Sequence, residues 1–194
     1  MTDSDTELAR QARRGDRRAL ESLYDRHKGP LLGYLRKTMA SAAAADDLFQ
    51  EVWIKVMQAL PSYKPSGDSI RPWLFRIATN AAVDRIRREN RRRGPELDSP
   101  VADGSDERKI DRVVDEGPSP EQIGIGASIG RDLDRVLQQL PERQRSAILL
   151  RHQQGMRYHE IGHALGIPEG TAKTLVHRGV TALRRKLSHW SDHD

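Results

Sequence analysis

The stretch RYHEIGHALGIPEGTAKTLVHRGVTALRRKL, Arg157 to Leu187, decides the fold, and it can be read in two ways. On a helix turning about 100° per residue, Tyr158, Ile161, Ala164 and Leu165 share one face. Gly166 follows at the position where a helix end favours a residue free to take positive φ. After Ile167, Pro168 suits the first position of a second helix, because no amide hydrogen is needed there. That helix turns Ala172, Leu175, Val176, Gly179 and Leu183 inward. Its outer face carries Thr171, Lys173, Thr174, His177 and Arg178, a set of donors and a methyl group suited to base edges in a major groove. Arg184, Arg185 and Lys186 extend it as a phosphate-neutralising end. The same residues on an ordinary surface helix would be a solvated basic face.

The second reading is the signature His159-Glu160-Ile161-Gly162-His163. His-Glu-x-x-His puts two imidazoles one turn apart, with the glutamate as general base of a zinc peptidase. Glu169 falls where a third ligand would be expected. Against this, His159 and His163 lie opposite the Ile161/Leu165 stripe, so they face outward and not into a cleft. No segment reads as a sheet on which a peptide could be laid. A helix-turn-helix and no catalytic metal is the expectation.

The 194 residues suit one or two small domains. Helical periodicity runs almost throughout, so an all-α fold is expected. Aromatics are only 5%, which favours two modest cores over one large one. There is no cysteine, so disulfides and thiolate metal sites are excluded. No run approaches the roughly 18 apolar residues of a membrane span, and no hydrophobic signal core opens the chain. A cytoplasmic protein without membrane insertion is expected.

Charge divides the chain into three parts. Residues 1–93 hold 19 Lys/Arg against 12 Asp/Glu, residues 94–128 hold 3 against 9, and residues 129–194 hold 11 against 7. Two basic lobes flanking an acidic, Gly/Pro/Ser-rich linker point to two contacts with nucleic acid. In the first lobe, a helix is expected from Asp5 or Thr6 to Gly15, and another from Asp16, broken or kinked at Gly29-Pro30. A third starts at Asp46/Asp47 with a stripe of Leu48, Val52, Val56 and Leu60, and ends at Pro61. The last helix, RPWLFRIATNAAVDRIRRENRRR, turns Trp73, Leu74, Ile77, Ala81 and Ile86 inward. Arg76, Asn80, Asp84, Arg87 and Arg88 fall on its outer positions. With Tyr63 and Trp73 nearby, this face suits single-stranded or distorted DNA, where rings stack on bases and arginines hold phosphates. A basic solvated helix over two core aromatics accounts for the same residues.

Taken together, these segments resemble the extracytoplasmic-function sigma factors, specificity subunits of bacterial RNA polymerase. AADDLFQEVWIKVMQAL is similar to the segment that binds the polymerase clamp helices. SIRPWLFRIATNAAVDRIRR is similar to the −10 reading and promoter-melting segment. LPERQRSAILLRHQQGMRYHEIGHALGIPEGTAKTLVHRG is similar to the −35 reading domain. The resemblance implies a promoter-melting domain over 1–93, a linker over 94–128 and a −35 domain over 129–194. It implies core-polymerase contacts at Asp47, Gln50, Glu51 and Trp53. It implies −10 contacts at Tyr63, Arg71, Trp73, Arg76, Asn80, Asp84, Arg87 and Arg88. It implies −35 contacts at Arg151, Tyr158, Thr171, Lys173, Thr174, His177 and Arg178. The linker would thread the polymerase channel. Ile70 stands where the family often has an aromatic, and Pro72 is unusual before Trp73-Leu74. The implied partners are core RNA polymerase, promoter DNA and an anti-sigma factor; neither a cofactor nor a small-molecule substrate is implied, and the protein would not be an enzyme.

Overall fold

A computed structural model describes residues 4–64, 69–93 and 127–191, the side chains of 93, 127–132 and 188–191 excepted. The described residues form helices and turns, with no strand among them. The linker expectation for 94–128 falls almost entirely outside the described residues.

Lobe one contains α1 (Asp5–Arg13), α2 (Arg17–Thr38), α3 (Ala42–Ala59) and α4 (Arg71–Arg93), with a 3₁₀ turn at Leu60–Ser62. Three short polar side chains start its helices. The Ser4 hydroxyl accepts from the Glu7 amide, Asp16 Oδ1 from those of Arg18 and Ala19 (2.8 and 3.1 Å), and the Ser41 hydroxyl from that of Ala44. Because Ser41 supplies this cap and four alanines follow, α3 begins one turn earlier than the expected Asp46/Asp47 start. Helix α2 is not broken at Gly29-Pro30 but runs through both residues. An interior proline costs about 3 kcal/mol. Leu23, Leu31, Tyr34 and Leu35 are buried on either side of it, and each stabilises by roughly 1.5–3 kcal/mol, which outweighs that cost. Leu48, Val52, Val56 and Leu60 all lie in the core as the stripe requires.

Lobe two contains α5 (Ala127–Gln138), α6 (Glu142–Ile148) continued by a π-helical turn (Leu149–Gln153), α7 (Tyr158–Leu165) and α8 (Glu169–Ser191). Gly166 closes α7 at φ +66°, as the turn requires. Pro168 sits one residue earlier than expected, just before α8, where its carbonyl accepts the Ala172 amide at 3.0 Å. At Gly162, a Cβ would lie 2.8 Å from the Ile167 carbonyl oxygen, so this glycine allows the turn to fold back on α7. Ile161, Ala164, Ala172, Val176 and Leu183 are buried between α6, α7 and α8.

The two lobes pack on one another, chiefly α4 along α7, with α5, α6 and the π turn against α2. This packing gives α4 a second buried face, Phe75, Ala78, Thr79 and Ala82, in addition to the expected Leu74 and Ala81. The Phe75 ring meets Tyr34 edge-on at 5.4 Å.

Helix α1 is held to α2 by a buried polar contact. Asp5 Oδ1 accepts from Arg26 Nη1 at 2.7 Å, and Asp5 Oδ2 lies 3.0 Å from His27 Nε2. At that distance Asp5 favours the charged imidazole. Burial pushes the His27 pKa down. Asp5 opposes this, Arg71 and Arg26 add to it, and burial prevails. A base whose folded pKa is depressed binds fewer protons folded than unfolded, so stability is full above the unfolded value of about 6.5 and declines as pH falls below it. Thermal unfolding between pH 7.5 and 5 should show a falling midpoint, with a smaller fall in His27→Gln. An equal fall in both proteins would remove His27 as the cause.

Candidate nucleic-acid interface

Three exposed surfaces carry the residues singled out from sequence. The first lies on α3. Asp47, Gln50, Ile54 and Met57 follow at i, i+3, i+7 and i+10, so they form one stripe. Ile54 and Met57 are 50% and 48% exposed, among the few large apolar side chains left open to solvent. Beneath them, Trp53 and Phe49 are buried, and Tyr24 packs on Trp53 at 4.9 Å. Trp53, expected at the partner-facing surface, is only 5% exposed. It shapes the surface from below, with its indole N–H unpartnered. Glu51 sits at the edge of the stripe, where Arg85 of α4 reaches Glu51, Glu89 and Asp47 at 3.4, 3.2 and 3.8 Å. Such half-exposed pairs contribute about 0–1 kcal/mol each; their effect is to hold the acidic edge of α3 in register with α4. Sequence reasoning missed Ile54 and Met57 because apolar residues on a helix are expected to be core. The available signal was their phase, off the Leu48/Val52/Val56 stripe.

The second surface is the outer stripe of α4. Arg76, Asn80, Asp84 and Arg87 are all exposed and in phase, with Arg88 beside them. The aromatic pair expected next to it is less available. Tyr63 is buried and packs its ring against Trp73 at 4.6 Å, and burial pushes its phenol pKa up. Trp73 is half-buried, and Ile70 is fully buried. Arg71 turns away from the stripe and donates to the Gln154 carbonyl of lobe two at 2.6 Å.

The third surface is α8. Thr171, Lys173, His177 and Arg178 are exposed on one side of it. Thr174 is half-exposed, and its hydroxyl donates back to the Gly170 carbonyl at 3.0 Å. Next to α8, the Arg151 guanidinium lies over the Tyr158 ring at 4.9 Å and donates to the Met156 carbonyl. The pair is thus assembled in advance as a cationic shelf at the start of α7. The glutamate of His159-Glu160-x-x-His163 is engaged in the fold, since its Oε2 accepts the Arg157 amide at 2.7 Å and caps α7. His159 and His163 are exposed, and among the described residues no group of three His, Cys, Asp or Glu is placed to hold a metal ion.

Two family models match the chain. Sigma-70 region 2 matches residues 23–92, and Sigma-70 region 4 matches residues 130–183. The chain is 30% identical over 180 residues to the ECF RNA polymerase sigma factor SigW of Bacillus subtilis, covering 92% of this chain and 94% of that protein. It is 30% identical to the RNA polymerase sigma-H factor of Pseudomonas aeruginosa, with 95% and 94% covered. Among solved structures, CnrH in complex with the cytosolic domain of CnrY shares the fold at TM-score 0.69 and 24% identity, with 96% of this chain and 99% of that chain covered. The sigma factor RpoE in complex with the anti-sigma factor NepR from Bartonella quintana is similar at TM-score 0.64 and 25% identity, with 87% and 96% covered. The chain belongs to the ECF sigma factors of RNA polymerase. It is a transcription initiation factor and not an enzyme. No described helix is long and apolar enough to cross a membrane.

Proposed function

We propose that this sigma factor docks on core polymerase through the α3 stripe Asp47, Gln50, Ile54 and Met57, with Glu51 at its edge. It would read the −10 element with α4 and the −35 element with α8. The observation that carries this reading is three separate exposed stripes, one apolar-acidic and two rich in donors and cations, on helices that match the family's two conserved regions. The α3 stripe is two exposed apolar side chains flanked by carboxylates and an amide. A helical partner with an apolar seam and basic edges complements that pattern.

On α4, Asn80 and Asp84 would read bases, while Arg76, Arg87 and Arg88 hold phosphates. A base drawn out of the stack costs a few kcal/mol, which contacts to that base must offset. Tyr63 is excluded from stacking unless it leaves the core, so Trp73 is the better-placed ring. On α8, Lys173, Thr171, His177 and Arg178 face the groove, with Arg151 and Tyr158 towards the backbone. An anti-sigma factor would hold the protein inactive, as the similarity to RpoE bound to NepR supports. The site of action would be the cytoplasm, and the domains would divide at 93 and 129.

Lys173→Ala tests the −35 assignment. If Lys173 contacts a base edge, the variant loses about 1–3 kcal/mol of promoter affinity and relaxes preference at one position. Binding of polymerase carrying this factor to a panel of single −35 substitutions reads both effects. An equal loss on every sequence would reassign Lys173 to phosphate contact.

A further inference from the structure

A dense cluster of positive charge, outside the three surfaces already described, lies at the turn from α1 to α2. From Arg10 to Arg18 the chain holds five arginines against one acid, Asp16. All five arginines are exposed. Two are paired within their own helices: Arg10 lies 3.3 Å from Glu7, and Arg17 lies 3.3 Å from Glu21. Asp16 is engaged as the cap of α2, accepting from the amides of Arg18 and Ala19. Arg13, Arg14 and Arg18 make no ion pair among the described residues. Arg18 also stands in the first turn of α2, which holds no acid. A cation there opposes the helix's own positive end, and no side-chain contact offsets the repulsion. A residue that breaks a local rule without compensation marks a functional position.

The cluster sits at one particular end of lobe one. Helices α2 and α3 run antiparallel: Arg36 pairs with Asp46 at 3.0 Å, and further back along α2, Tyr24 packs on Trp53 at 4.9 Å. Arg17 is seven residues back from Tyr24, and Leu60 is seven residues on from Trp53. Both therefore reach the same end of the helix pair, about 10 Å beyond that contact. Helix α1 also packs on the Leu60–Ser62 turn. That turn leads into Tyr63, whose ring packs against Trp73 at 4.6 Å near the start of α4. A strand that follows the α4 stripe from Arg87 through Asn80 to Trp73 thus leaves lobe one at the arginine end. With the duplex held upstream and a base drawn from the stack at −10, the DNA leaving there is the melted strand running downstream. The chemistry of the cluster suits that strand. Arginine forks onto phosphate oxygens whatever the base. A protein partner needs apolar anchors, and between Arg10 and Arg18 no apolar side chain is larger than Ala12.

We propose that Arg13, Arg14 and Arg18 form a phosphate track for the melted strand just downstream of the −10 element. The track rests on the −10 assignment of α4 for its place in the promoter, but its hold on a single strand can be measured without polymerase. The first probe is fluorescein-labelled oligothymidylate with the free protein, its binding followed by anisotropy over a series of salt concentrations. Each phosphate neutralised on a single strand contributes about 0.7 to the slope of log K against log salt, so Arg13→Ala, Arg14→Ala and Arg18→Ala together should flatten that slope by about 2. The same three changes to lysine should preserve it, because the strand meets charge there. All three side chains are exposed, so neither variant should shift the thermal melt. The second probe is a promoter fork recovered from protein-dependent transcript starts, bound by core polymerase carrying this factor. Its unpaired strand either stops at the downstream edge of the −10 element or continues for several nucleotides. The unmutated protein should gain affinity from the continuation. The alanine variant should lose several-fold on the continued fork and nothing on the short one. An equal gain in both proteins would overturn the track. An equal loss on both forks would overturn it as well, and would put the arginines against an acidic surface of the polymerase. If no such promoter is recovered, the −10 assignment fails. The oligothymidylate slope then still decides whether the arginines hold a strand, and an unchanged slope in the alanine variant means that they do not.

Discussion

Replacing Ile54 and Met57 together by aspartate is expected to weaken binding to core polymerase by at least tenfold and to leave the fold intact. Each side chain is about half exposed in the free protein, so burying what is left against a partner is worth roughly half of the 1.5–3 kcal/mol of a full burial. The two together account for about 2 kcal/mol, and an aspartate trapped in the interface adds a desolvation cost. Because neither residue supports the core, the unfolding midpoint should move little. The measurement is core-polymerase affinity by fluorescence anisotropy, beside a thermal melt. Unchanged affinity would remove the α3 stripe from the docking surface. A collapsed melt would mean that these side chains support the fold.

The opposite pattern is expected at Phe75. Its ring is fully buried on α4 and meets the Tyr34 ring at 5.4 Å, where α2, α4 and lobe two converge. Phe→Ala in such a site removes transfer free energy and leaves a cavity, costing about 3–5 kcal/mol. For a chain of this size, that corresponds to a drop in Tm of roughly 6–20 °C. Conversion to leucine should recover more than half of the loss. A Phe75→Ala protein within about 1 kcal/mol of the original stability would contradict the packing described for α4.

The helix-turn-helix could be read in the sequence because its geometry is local. Gly166 and Pro168 mark the turn, and Ile161, Ala164, Ala172 and Val176 follow the helical period into the core. The same holds for the buried face of α3, Leu48, Val52, Val56 and Leu60. What could not be read arose from long-range packing. Gly29-Pro30 read as a break or kink; the helix runs through it, because a local rule does not include the burial of Leu31, Tyr34 and Leu35 that carries α2 onward. Trp53 and Tyr63 looked available because aromatic residues serve cores and interfaces alike, and only their neighbours distinguish the two roles. Phe75, Ala78 and Ala82 make a second buried face of α4 that no single stripe announces, since α7, which packs along α4, is distant in sequence. His159-Glu160-x-x-His163 shows the reverse: a complete local motif whose glutamate is already engaged as a helix cap.

The most direct test is transcription by purified bacterial core polymerase from a randomised promoter library, with and without this protein, reading transcript starts by sequencing. Protein-dependent starts that share two upstream elements, at −10 and −35, are expected. With a core enzyme shown to be active by another sigma factor, an absence of protein-dependent starts would contradict promoter recognition by this protein.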